Sequence, residues 1–279
     1  MKVIRTLNGN SGCNILLCKN DHSYFVRKLC MDSTYESRFF KQIHKLINFS
    51  DFLKKENHKS RICVPEILDV GRDIEGYIYY DMQYVNGLLF NKYINRMPVG
   101  DVVATFSIIL DFVSLEMKNE IMFDIIDLDK IVKNKLSQLN QNIDINTEHC
   151  TDVLLTKTIS HGDLTFENIL IENETNKIFL IDPMDCYLDN ALADVSKLCT
   201  EIFAFWSNRN SGTKINPGIY LALRNAMMNN SEFQKYNNLL KCLVLIDLLR
   251  TVPYLHKKGS IELANTIHKI VEMDNLWLN

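Results

Sequence analysis

Asp163, Asn168 and Asp182 are the residues whose types and spacing could do chemistry. The first two lie in the decapeptide 161–170, HGDLTFENIL, and Asp182 follows nineteen residues after Asp163. Between them, NILIENETNKIFLID carries two short apolar runs, 169–171 and 178–181, joined by a polar turn containing Asn173 and Asn176. That pattern predicts a β-hairpin, which brings the segment before its first strand and the residue ending its second to one end. A carboxylate and an amide oxygen gathered there suit Mg²⁺, which prefers hard oxygen donors, keeps several waters and shares its shell with phosphates. Asn168 and Asp182 are therefore the expected metal ligands. Asp163 is left to accept or orient the proton of an attacking hydroxyl, and is the expected catalytic residue.

The rest of the chain must position these groups. Residues 13–18 and 24–30 read as two strands around a polar turn, preceded by a glycine-bearing loop, LNGNSG. Apolar residues Phe39, Ile43, Leu46 and Ile47 predict a helix from about 34 to 48. VPEILDVGRDIEGYIYYDMQYV then gives two or three glycine-punctuated strands. After VNGLLF the character changes. Helices are predicted over 98–119, 127–140, 191–207, 217–229, 232–256 and 260–274. The expected class is α+β, with a strand-rich part over 1–84 and a mostly helical part over 85–279.

In YFVRKLC, Lys28 shares a strand face with Tyr24 and Val26, because side chains alternate with period two. By itself it would read as a solvated strand lysine. A cation on an otherwise apolar face asks for an anion, and the hairpin residues supply a reason for one.

The order H-x-D-x-x-x-x-N, a hairpin and a strand-terminal Asp resembles the catalytic arrangement of protein kinases. The HGD form, at His161, Gly162 and Asp163, resembles the aminoglycoside phosphotransferase and choline kinase branch. DNALADVSKL, 189–198, resembles that branch's G-D-P-x-x-D-L-A segment, with Asp194 at the final acid that braces the catalytic loop. The resemblance implies a bilobal protein-kinase-like fold with a small strand-rich N-lobe, a mostly helical C-lobe, and a nucleotide between them. Lys28 would meet the inner phosphates and Glu36 would position it. DMQYVNG, 81–87, resembles the inter-lobe hinge, which implies that Gln83 and Val85 contact the adenine ring. Gly9 and Gly12 would let backbone amides approach phosphate, although LNGNSGCN is not a full G-x-G-x-x-G. The implied cofactors are ATP, with GTP as the alternative, and Mg²⁺.

Departures narrow this. Pro183 follows Asp182 where protein kinases have Phe-Gly, and Thr165 replaces their catalytic-loop lysine, which favours a small-molecule acceptor. The expected reaction is Mg-dependent transfer of the γ-phosphoryl group of ATP to a hydroxyl of a sugar, amino sugar or amino alcohol. The competing reading is a catalytically silent kinase fold acting as a nucleotide sensor or interaction module. Four acids, Asp124, Asp127, Asp185 and Asp189, are default surface residues that would otherwise attract a cationic acceptor. Trp206, Tyr220, Tyr254 and Trp277 read as core before they read as stacking platforms.

Composition sets the remaining bounds. Lys and Arg total 31 against 34 Asp plus Glu, with no long block of either sign, so nucleic acid is not an expected partner. No apolar run reaches the length of a membrane helix, and no signal-peptide core opens the sequence. The eight cysteines show no C-x-x-C pair, which fits reduced thiols and a cytoplasmic setting. Oligomeric state is not legible.

Overall fold

The computed structural model describes residues 1–7, 13–21, 23–55, 61–138, 153–208 and 216–257. The chain divides into two compact units. Unit 1 comprises Met1–Leu88 and Asn168–Asp185, and unit 2 comprises Leu89–Glu167 and Cys186–Asn279. The division is not a single cut, because the hairpin expected after Asn168 belongs with the N-terminal strands.

Unit 1 is built on a five-stranded antiparallel sheet. Its strands are β1 (Lys2–Leu7), β2 (Cys13–Lys19), β3 (Tyr24–Cys30), β5 (Ile67–Arg72) and β6 (Ile78–Gln83), in the order β1-β2-β3-β6-β5. Register places Lys28 between Ile15 of β2 and Tyr80 of β6. Helix α1 (Glu36–Lys55) covers the sheet with Phe39, Gln42, Ile43, Leu46, Phe49 and Phe52 buried. Phe39, Ile43 and Leu46 pack with Cys13, Cys30, Ile78 and Tyr80 in one core. Burying each of the phenylalanines is worth about 2–3 kcal/mol. The helix runs past the expected end near 48 because Phe49 and Phe52 continue its buried stripe.

A second sheet in unit 1 is made by β4 (Ile62–Cys63), β7 (Gly87–Leu89), β10 (Ile169–Glu172) and β11 (Ile178–Leu180), in the order β4-β11-β10-β7. Strands β10 and β11 form the expected hairpin, pairing Ile169 with Leu180 and Ile171 with Ile178. Its turn uses Asn176 at φ 54, a left-handed conformation that asparagine tolerates. Gly87 lets β7 approach β10: a Cβ there would overlap the Leu170 side chain and the Ile171 carbonyl.

Unit 2 contains α2 (Phe90–Tyr93), α3 (Val99–Lys118), α4 (Leu128–Gln138), α5 (Leu192–Ala204), α6 (Pro217–Met228), α7 (Ser231–Gln234) and α8 (Asn237–Lys257). A small antiparallel pair, β8 (Glu120–Ile125) and β9 (Thr156–Thr158), accompanies them. Phe90 meets Phe166 edge to face at 4.9 Å, and Phe106 meets the same ring at 6.1 Å. All three are fully buried, so the loop carrying Phe166 is anchored in the helical core. The helix expected over 232–256 is two helices, because Asn230 caps α7 through Oδ1 and a short break follows before α8. Helix α5 stops at Ala204, where Phe205 turns left-handed at φ 50. The expected helix over 260–274 lies outside the described residues, as does Trp277.

Candidate active site

In unit 1 the site grows from Lys28. The alternation of β3 places Lys28 with Val26 and Cys30 against the core, and it is 1% exposed. Its Nζ donates to Gln42 Oε1 at 3.2 Å and forms an ion pair with Asp182 Oδ1. Burial works against the ammonium charge, but Tyr80 and Asp182 outweigh it, so the pKa stands above the usual lysine value. Lysine and aspartate are 154 residues apart in sequence, and the pairing joins β3 to the end of the hairpin. Ladder extension brings Asn168 beside the same end: the Ile181 N–H donates to the Asn168 carbonyl at 2.9 Å. Asp182 itself is left-handed at φ 59, so the chain turns sharply where the carboxylate is presented.

Carboxylate and amide oxygens at one hairpin end are the donor set that a hard divalent cation takes when phosphate completes its shell. Among the described residues no three or more His, Cys, Asp or Glu side chains gather as a metal site. Such a two-donor arrangement fits Mg²⁺ carried in with a nucleotide better than a resident ion held by protein alone.

In unit 2 the loop 161–167 is held by buried carboxylates. Asp194, in the first turn of α5, accepts the His161 N–H through Oδ2 at 2.6 Å and the Gly162 N–H through Oδ1 at 2.7 Å. Gly162 takes φ 84, a conformation that favours glycine, so the chain can turn over that carboxylate. Glu201, further along α5, accepts the Phe166 N–H at 3.1 Å and the Ser207 N–H at 2.9 Å. Its burial pushes the carboxyl up to about 7, against the lowering effect of the Ser207 bonds. The Asp163 N–H donates to His161 Nδ1 at 3.3 Å and the Asp163 carbonyl accepts from Thr165 at 2.8 Å. The loop is fixed through its backbone, and Asp163 stands partly exposed.

Lys197, one turn beyond Asp194, joins a second network. It donates to Asp247 at 3.1 Å, and Asp247 also accepts from Ser196 at 2.7 Å and Arg250 at 3.1 Å. Its pKa is raised: burial opposes its charge, while Asp247 and then Asp163 favour it. Asp163 thus has a cationic neighbour within its own unit.

One sequence expectation is corrected. Glu36 does not pair with Lys28. It opens α1 on the partly exposed face and pairs with Arg72 at 3.5 Å. The buried face of the same helix presents Gln42 to the lysine. Asp32, the other acid near that position, accepts from Thr34 at 2.9 Å. Gln83 ends β6, and its N–H donates to the Glu66 carbonyl at 2.8 Å, while Val85 is buried. Gly9 and Gly12 lie outside the described residues. Of the acids weighed for a cationic acceptor, Asp185 pairs with Lys41 at 3.0 Å and Asp127 caps α4 by accepting the Lys130 N–H at 3.0 Å. Tyr220 is buried edge-on against Phe205 at 4.5 Å. Gln42 carried one overlooked signal, a polar residue inside an apolar helical stripe. Lys197 carried another, its place one turn beyond the acid matched at Asp194.

No protein-family model matches the sequence, and no curated protein sequence matches it. Solved structures match its fold. A GDP complex of an aminoglycoside 2'-phosphotransferase mutant aligns with a TM-score of 0.57 at 10% identity, covering 98% of this chain and 92% of that one. A thermostable aminoglycoside phosphotransferase APH(4)-Ia in its apo form gives 0.56 at 13% identity over 98% and 95%. A putative fructosamine-3-kinase from Haemophilus somnus 129PT gives 0.55 at 15% identity over 94% and 90%. The chain therefore has the kinase-like fold of these phosphotransferases, with an antiparallel-sheet N-terminal region and a helical C-terminal part. Among the described residues no helix is long and apolar enough to cross a membrane.

Proposed function

We propose that the protein is a small-molecule kinase that transfers the γ-phosphoryl group of ATP to a hydroxyl of a sugar, amino sugar or amino alcohol in a Mg²⁺-dependent reaction. The observation that carries this reading is the buried Lys28 bonded to Asp182 at the end of the hairpin whose other strand starts from Asn168. A buried cation whose partners are one carboxylate and one neutral amide oxygen is costly as mere architecture, and is suited to polyphosphate.

Roles follow from chemistry. Lys28 neutralises the inner phosphates. Asn168 and Asp182 would hold Mg²⁺, which supplies charge neutralisation on the phosphates when bound. Asp163 accepts a hydrogen bond from the acceptor hydroxyl and aims its lone pair, while Asp194 and Glu201 hold the loop that carries it. Phosphoryl transfer asks mainly for positioning and electrostatics, which is what rigid backbone bracing provides. Lys197 sets a positive charge on the Asp163 side of that loop. Fold neighbours support nucleotide use: one is a complex with GDP and another a ternary complex with ADP and hygromycin B. Choice of nucleotide and acceptor belongs to experiment, and a cytoplasmic setting fits the reduced thiols, all seven described cysteines being free.

The test is nucleotide consumption by purified protein with Mg²⁺ against amino sugars, neutral sugars, amino alcohols and aminoglycosides. Asp163→Asn is expected to lose about 10²–10⁴ of turnover while keeping nucleotide affinity. Asp182→Ala is expected to lose Mg-nucleotide binding as well. Equal turnover in wild type and Asp163→Asn would remove the mechanism. Nucleotide binding without turnover on any acceptor would favour the silent module.

A further inference from the structure

The phosphate-binding lysine of this chain is held by an amide. Gln42 is 2% exposed on the buried face of α1, with Oε1 3.2 Å from Lys28 Nζ and Nε2 donating to Tyr35 Oη at 3.1 Å. An ammonium has donors only, so the carbonyl end of the amide must face Lys28, and the NH₂ end then needs an acceptor, which Tyr35 provides. Tyr35, Gln42, Lys28 and Asp182 form one line of hydrogen bonds within unit 1. Along it Asp182 is the one carboxylate bonded to Lys28 among the described residues.

We infer that Gln42 is the positioning residue of Lys28, and that its neutrality makes Asp182 the counter-ion of the lysine in the nucleotide-free protein. This rests on the kinase reading for its consequence and on geometry alone for its assignment. A carboxylate at position 42 would compensate Lys28 permanently and leave Asp182 free. With an amide there, Asp182 serves two cations in turn. A metal ion that draws on Asp182 strips the buried lysine of its charge partner, and an incoming phosphate restores one. Metal alone is thus a poor ligand for this site, and metal with nucleotide a good one. Tyr35 enters as the group that keeps the amide from turning its NH₂ end toward the ammonium.

A nucleotide-free double-mutant cycle tests the assignment without any activity measurement, using melting temperatures of wild type, Gln42→Glu, Asp182→Asn and the double variant. Asparagine suits position 182 because it tolerates left-handed backbone. In the wild-type background Asp182→Asn leaves a buried lysine without a carboxylate and is expected to lower the melting temperature by on the order of 5 °C or more. In the Gln42→Glu background the same change is expected to cost less than half as much. Equal cost in both backgrounds overturns the inference. A second arm measures Mn²⁺ binding without nucleotide, which Gln42→Glu should tighten about tenfold, and unchanged affinity counts against it. Should the Gln42→Glu variants fail to fold, Tyr35→Phe is the milder probe. It is expected to weaken Mg-ADP affinity several-fold, and an unchanged affinity overturns the positioning role. A wild type that binds neither Mg-ADP nor Mg-GDP but shows the coupling would sink the kinase reading and leave Gln42 in its role. Nucleotide binding without coupling would do the reverse.

Discussion

The two units hold their chemical groups by opposite means. In unit 1 the working groups are side chains clasping side chains: Lys28 from β3, Gln42 from α1 and Asp182 from the hairpin end meet within one hydrogen-bonded line. In unit 2 carboxylates clasp backbone: Asp194 and Glu201 take N–H groups of the loop that carries Asp163, and so fix the chain beneath the working side chain. The difference follows from the task. A group that must exchange partners as ligands arrive is best held by other exchangeable side chains, whereas a group that must aim at one point is best fixed through its backbone.

Breaking the backbone clasp should have the largest effect. Asp194→Ala leaves two buried N–H groups without their acceptor, and each unsatisfied group costs about 1–3 kcal/mol. A loss of about 2–4 kcal/mol is expected, read as a lowered midpoint in chemical denaturation, with turnover lost in the fraction that still folds. Asp194→Asn should not rescue it. Both oxygens of the native carboxylate accept, and an amide would set its NH₂ against one of the two N–H donors. Full activity in Asp194→Asn would show that the loop holds its shape without the clasp, and would erase the contrast between the units.

Glu201 gives the same clasp a pH signature. Its carboxyl sits at about 7 when folded, above the usual value near 4.5, with burial as the main cause. An acid whose folded pKa is raised binds its proton more tightly in the native state, so its contribution to stability is fully present below about 4.5 and is lost as pH rises through about 7. A difference of that size corresponds to on the order of 3 kcal/mol. Stability of the wild type should therefore fall between about pH 5 and 8 by more than that of Glu201→Gln, measured as denaturation midpoints across that range. Parallel curves for the two proteins would show that Glu201 is ionised in the fold without penalty.

The comparison also explains what the sequence disclosed. Asp163, Asn168 and Asp182 were legible because a local hairpin brings them to notice with fixed spacing, and Asp194 because it lies in a short matched segment beyond them. Lys28 was legible as a cation on an apolar strand face. Its partner was not. The nearest acid to the start of the helix, Glu36, was the natural choice, but the helix turns that residue toward Arg72 and brings Gln42 inward from a different face. Such a pairing is set by helix rotation over the sheet, which depends on how Phe39, Ile43 and Leu46 seat against Ile78 and Tyr80. Glu201 was invisible for a related reason, since nothing local marks a glutamate in a helix as the acceptor for an N–H 35 residues earlier. The long helix expected over 232–256 failed at Asn230 and the break after α7, where capping chemistry outweighed apolar periodicity.

The smallest effect expected is also the one that separates the two candidates for Lys28 most cleanly. Glu36 and Arg72 meet at 3.5 Å with side chains 33% and 55% exposed. An ion pair in that setting is worth at most about 1 kcal/mol, because water screens it and two long side chains lose freedom to form it. Glu36→Ala should therefore shift the melting temperature by no more than about 4 °C and change Mg-ADP affinity by less than about twofold. Gln42→Leu, at a site of the same helix where the side chain is buried against an ammonium, should lower both by much more. If instead Glu36→Ala abolished nucleotide binding while Gln42→Leu spared it, Glu36 would regain the role that its position in the sequence implied. The helix would then have to turn to bring it inward when nucleotide binds, and unit 1 would owe its function to a rotation of α1 rather than to a partner already in place.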